Sequence, residues 1–131
     1  MTIWTWLGGS DKSPEESPWK SLNSEEDWLR VAADSVHEQQ WIFKHSYSCG
    51  ISAAVLRRLE SRMLQWKLPT GRYLVDVNAN RQISQRIARE TEVVHQSPQL
   101  LILSNGEVIW HASHYDILDV DPEASGLSSR S

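Results

Sequence analysis

The amino-acid sequence predicts an α/β domain with a central mixed sheet, covering helices and a terminal antiparallel hairpin. Three observations predict it. Short apolar runs rich in strand formers recur along the chain: "QWIF" (40–43), "RYLVDVN" (72–78) and "QLLIL" (99–103). Stretches with apolar residues at helical spacing lie between them. Asn105-Gly106 separates "QLLIL" from "EVIWH", and Asn-Gly between two apolar runs specifies a type I′ hairpin.

The elements follow in order. "SPWKSLNSEED" supplies a short extended piece and then a helix start, where Asn23 or Ser24 caps and the acids suit the helix dipole. That helix runs to about Val36, with Trp28, Leu29, Ala32 and Val36 expected on one face. After "QWIF" a second helix starts near Cys49 or Gly50, with Ile51, Val55, Leu59, Met63 and Trp66 near helical period. Pro69 and Gly71 end the connection to the next strand. "NRQISQRIARE" is a third helix with Ile83 and Ile87 one turn apart, and "SHYDIL" after the hairpin suits a last short helix. The order is β-α-β-α-β-α-β-β with a possible final α, and alternating βαβ units imply parallel strands covered by helices. Residues 1–18, rich in Gly, Ser, Pro and acids, are expected to form a flexible N-terminal extension, 19–120 the domain, and 121–131 a polar tail.

Composition bounds the function. The 131 residues suit one domain, and at 40% hydrophobic residues they support a core. The formal charge of −4 argues against nucleic acid as a partner. Arg57, Arg58, Arg62 and Lys67 form a local basic patch, which suits a solvated helix face better than an anion site. One cysteine excludes an internal disulfide and a multi-cysteine metal cage. The N-terminus lacks the pattern of a signal peptide, and no stretch approaches the ~20 apolar residues of a membrane span. A cytoplasmic protein without membrane association is the expectation.

Cys49 is the candidate for chemistry. It is expected between the C-terminal end of a strand and the N-terminus of a helix, the edge where open α/β sheets place ligand sites. Unpaired N–H groups and the partial positive charge of a helix start favour a thiolate, the attacking species in thiol–disulfide exchange. Gly50 permits close approach of a substrate. Ser48 and Ser52 offer hydroxyls to the sulfur, and Lys44 and His45 offer positive charge. A lone cysteine equally fits a small buried hydrophobe. Pro98 precedes a strand, where it costs no ladder bond. His111, His114 and Cys49 form no standard metal-ligand pattern, so no metal is expected.

Taken together, "WIFKHSYSCGIS", "YLVDVNANRQISQRIA" and "VVHQSPQLLILSNGEVIWHASHYDI" resemble the YtxJ or bacilliredoxin-type monothiol proteins of the thioredoxin superfamily. The resemblance covers roughly residues 19–118. It implies a thioredoxin-like fold with Cys49 as the single redox thiol and a cis Pro98 beside it. Ser52 would stand where a thioredoxin carries its resolving cysteine. The usual Cys-Pro-Ile-Ser is here Cys49-Gly50-Ile51-Ser52. The implied activity, part of a stress response, is removal of bacillithiol from S-thiolated client proteins. Bacillithiol or another small thiol would be a co-substrate, with no permanently bound cofactor. The backbone at Ser97 would pair with an extended client, and Lys44, His45 or His114 would hold the acidic part of the thiol.

Two alternatives stand beside it. Cys-Gly-Ile-Ser is one substitution from the Cys-Gly-Phe-Ser of monothiol glutaredoxins, which bridge an iron–sulfur cluster between two subunits. One cysteine per chain would then demand a dimer and external thiols, but "WHASHYDI" occupies the place of their glycine-rich acidic motif. A redox-inactive interaction module on the same fold is the second. The sequence sets no oligomeric state.

Overall fold

A computed structural model describes residues 17–122. The expected flexible extension and polar tail lie largely outside the described residues. Nine elements follow: β1 (Lys20–Ser21), α1 (Glu25–Asp34), β2 (Gln40–His45), α2 (Gly50–Met63), β3 (Gly71–Asp76), α3 (Arg81–Thr91), β4 (Gln99–Ser104), β5 (Glu107–Ser113) and a 3₁₀ helix (His114–Asp119). The five strands form one mixed sheet in the order β1-β3-β2-β4-β5. β1, β3 and β2 are parallel, as the βαβ alternation implies. β4 runs antiparallel to β2, so the whole hairpin forms the antiparallel part.

Local chemistry explains several element ends. Ser24 caps α1, its Oγ accepting the Asp27 N–H at 3.1 Å, and the Asp27 carboxylate accepts the Asn23 N–H at 2.9 Å. Asn105 and Gly106 both take positive φ (55° and 78°), the signature of the type I′ turn. Gly71 is required by space: a Cβ there would stand 2.1 Å from Oε1 of Gln40. One expectation is corrected. In α1 the buried residues are Trp28 and Val31, while Leu29 and Val36 are exposed. The helix ends at Asp34, which leaves Val36 beyond it, and the sheet meets the i, i+3 pair Trp28/Val31 instead.

β2 is the central strand and is buried along its whole length. Its alternate residues serve two cores. Trp41 and Phe43 join Val55, Leu59 and Met63 of α2, Leu100 and Ile102 of β4, and Ile117 of the 3₁₀ helix. Ile42 faces the other way, toward Trp28 and Val31 of α1 and Ile83 and Ile87 of α3. Trp19, which lies in irregular sequence, packs on Phe43 with ring centroids 5.8 Å apart, and its Nε1 donates to Glu60 at 2.8 Å. In the basic patch Arg57, Arg58 and Lys67 are exposed, and the Arg62 guanidinium donates to the Leu118 carbonyl. Among the described residues no helix is long and apolar enough to cross a membrane.

Candidate thiol site

One edge of the sheet gathers the candidate residues. β2 and β3 reach it with their C-terminal ends, at His45 and Asp76. β4, antiparallel to β2, starts there: Lys44 pairs with Gln99, which puts Pro98 beside His45. β5 ends there too, with Ser113 opposite Gln99 and His114 next in the chain. Cys49 lies four residues beyond His45 and starts α2 at this edge.

Cys49 is the N-cap residue of α2, in extended conformation (φ −115°, ψ 118°), and is half-buried. Its carbonyl accepts the Ala53 N–H at 3.1 Å, while its side chain makes no capping bond. The sulfur therefore stands at a helix start whose first N–H groups lack a side-chain acceptor. The first residue of α2, Gly50, is exposed, and nothing lies within 4 Å of the Cβ it lacks. No contact requires glycine there. The extended Cys49 already has the conformation that a following proline demands. Gly50→Pro is accordingly expected to raise stability by about 0.5 kcal/mol, since proline at the first helical position restricts mainly the unfolded chain. Urea unfolding checks this, and a loss of stability would mean that the Gly50 N–H has an undetected partner.

Ser52, one turn into α2, is wholly buried. Its Oγ accepts the Ser46 N–H at 3.1 Å and lies 2.7 Å from His45 Nδ1. Burial lowers the His45 pKa below the usual imidazole value against an opposing pull from Asp76, so the ring is neutral near pH 7. The hydroxyl proton is then free to be donated to Nδ1. Ser52 thus clamps the 46–49 loop to the end of β2 and is not open to a ligand. Ser52→Ala leaves the buried Ser46 N–H without an acceptor and is expected to cost about 1–3 kcal/mol in urea unfolding. A cost near zero would show that the loop does not depend on this clamp.

A second set of bonds was not anticipated from the sequence. Asn78 Nδ2 reaches Ser46 Oγ (3.4 Å) and Ser48 Oγ (3.3 Å), and the two hydroxyls are 3.2 Å apart. Asp76 Oδ1 accepts the N–H groups of Asn78 and Ala79. The turn after β3 therefore braces the loop that carries the cysteine. The available signal was the pair Asn78 and Asn80 after a predicted strand, at the edge where βα turns gather. Tyr47, 67% exposed, stands edge-on to His45 with centroids 4.3 Å apart; with the exposed Ile51 and Tyr115 it gives this edge an apolar rim.

The remaining expected residues divide. The Ser97–Pro98 peptide is cis, as the resemblance implies; Pro98 is buried and Ser97 half-buried. The Pro98 carbonyl accepts the His114 N–H at 3.0 Å, and His114 is exposed with φ 57°. His45 is 3% exposed and engaged with Ser52, so it offers no charge to solvent. Lys44 is a correction: it is wholly buried on the opposite face of β2, with Nζ on Ser84 O of α3. Successive residues of a strand point to opposite faces, so His45 and Lys44 cannot both face α2. Among the described residues no group of three or more His, Cys, Asp or Glu is arranged to hold a metal ion.

Solved structures share this fold. A solved thioredoxin-fold protein described as a candidate oxidoreductase is 30% identical, with a TM-score of 0.66 over 74% of this chain and 83% of that one. The thioredoxin of Trypanosoma brucei brucei, 17% identical, superposes with a TM-score of 0.61 over 81% of this chain and 88% of its own. For the reduced thioredoxin pre-protein of Schistosoma mansoni the values are 12%, 0.64, 82% and 95%. The last two speak for the fold alone. The family model described as monothiol bacilliredoxin BrxC matches residues 20–121. With every strand and helix of the sheet inside that match, and one cysteine at the head of α2, the chain belongs to the monothiol bacilliredoxin family.

Proposed function

We propose that this protein is a monothiol thiol–disulfide oxidoreductase that frees S-thiolated client proteins of bacillithiol, or a similar small thiol, through Cys49. The observation that carries the reading is the sole cysteine of the chain, half-exposed at the N-cap of α2, its side chain without a capping bond. Family membership supports the thiol chemistry, and the specific small thiol is the finer part of the proposal.

The step is one exchange. The Cys49 thiolate attacks the bacillithiol-side sulfur of the client mixed disulfide. A Cys49–bacillithiol disulfide forms, the client disulfide bond breaks, and the client leaves as a thiolate that takes up a proton from water. No electrons are lost overall. Because the chain holds no second cysteine, release of Cys49 requires an external thiol as reductant. His114, exposed and tied to Pro98, is the residue of the expected set that remains free to meet the carboxylates of the thiol.

Intact-mass spectrometry after mixing the reduced protein with a bacillithiolated model protein tests this. The expected result is a gain of one bacillithiol on Cys49 with the client freed. No adduct, with Cys49 still open to iodoacetamide, would sink the transfer reading. An equal gain from glutathionylated and bacillithiolated clients would overturn the choice of thiol.

A further inference from the structure

Lys44 takes no part in the chemistry at Cys49, yet it grips the segment that leads into Ser97 and Pro98. Its Nζ donates to Ser84 O of α3 at 3.0 Å and lies 3.2 Å from Nδ1 of His95. Burial pushes its pKa down to about 8, so the ammonium is still charged at neutral pH. Burying an ammonium is costly, and a methionine would fill a similar space without that penalty.

Gln99 is the direct cross-strand neighbour of Lys44, on the same face and equally buried. Its Nε2 donates to Val94 O at 2.9 Å. Two buried polar side chains from adjacent strands thus hold two successive residues, Val94 and His95, of the connection between α3 and β4. Apolar packing holds little of it: Val93 reaches the core, but Val94 is 78% exposed, and His95 and Gln96 are exposed. The connection ends at Ser97 and Pro98, on the edge where Cys49 stands.

We propose that Lys44 is a positioning residue for client recognition: anchored on Ser84 O, it fixes His95 and, with Gln99, sets the 94–97 segment beside Cys49. This rests on the thiol-transfer reading. It applies to polypeptide clients, which would run along Ser97, and not to small disulfides, which need only reach the sulfur.

The test uses Lys44→Met, His95→Ala and His95→Gln. Backbone order at residues 94–97 is followed by 15N NMR relaxation. Transfer is followed from a bacillithiolated protein and from bis(2-hydroxyethyl) disulfide. Lys44→Met and His95→Ala are expected to lower the 94–97 order parameters from the rigid range, about 0.85, to below about 0.6, and to raise KM for the protein client about tenfold, the equivalent of one net hydrogen bond. The kcat and the small-disulfide rate should stay unchanged. His95→Gln, whose side-chain oxygen accepts from Lys44, should restore both values.

Unchanged order at 94–97 in both variants overturns the proposal, as does lowered order with an unchanged KM. Order lost across the whole sheet overturns it too, since that reports general destabilisation. A wild-type protein that frees no client, with the variants lowering order at 94–97 as expected, would instead overturn the transfer reading and leave the grip of Lys44 on the segment supported.

Discussion

Cys49→Ser is expected to abolish thiol transfer while making the protein slightly more stable. Loss of activity follows from the sequence, which holds no second cysteine to take over the attack. The stability gain follows from the structure. Cys49 occupies the N-cap of α2 without a side-chain capping bond, and serine is among the best N-cap residues. A serine hydroxyl accepting a first-turn N–H is worth about 0.5–1 kcal/mol over a residue that does not cap. Urea unfolding and the mass assay on the same preparation check both halves. Retained transfer would rule out Cys49 as the nucleophile. Lost transfer with a clear fall in stability would mean that the thiol also packs as a core residue.

Stability should rise with pH between about 8 and 10, and Lys44 should be the cause. Its pKa falls from 10.5 in the unfolded chain to about 8 in the fold, through burial. Between these values the unfolded chain holds a proton that the folded chain has released. Unfolding then takes up a proton, so raising the pH favours the folded state. The penalty is fully present below pH 8 and relieved above it. Its full size is about 3 kcal/mol, each pKa unit being worth about 1.4 kcal/mol. Tyr73 acts oppositely: burial raises its pKa above 10, so it weakens the fold only at higher pH. The measurement is the unfolding free energy from urea titrations at pH 7.5–10, made in the Cys49→Ser background to silence the thiol. Lys44→Met should flatten the rise. Equal slopes with and without Lys44 would show that its ammonium is solvated in the fold.

Both predictions turn on how far local sequence reaches. The helix at Cys49, the hairpin at Asn105-Gly106 and the strand at 99–103 were legible because capping, turn chirality and apolar period act within a few residues. Cys49 as the candidate nucleophile was legible for the same reason: its place at a strand-to-helix turn is a local property. The α1 face was misjudged because the period allowed several stripes, and only the sheet chose Trp28 and Val31.

The residues around the thiol show the other limit. Lys44, His45 and Ser52 are near Cys49 in sequence, and each looked available to a substrate. The structure buries all three, for reasons that are not local. Lys44 and His45 must face opposite sides of β2, and the side that receives α2 decides which lies behind the thiol. His95 is 51 positions from Lys44, and Asn78 is 30 from Ser48. Such pairs exist only once β3 and β4 flank β2. The sequence by itself determined the elements and the place of its single cysteine at the start of a helix, because these depend on neighbours along the chain. Tertiary structure alone decided which polar side chains face solvent at the thiol edge and which brace the loops beneath it, because that depends on strand order and on the face each residue takes.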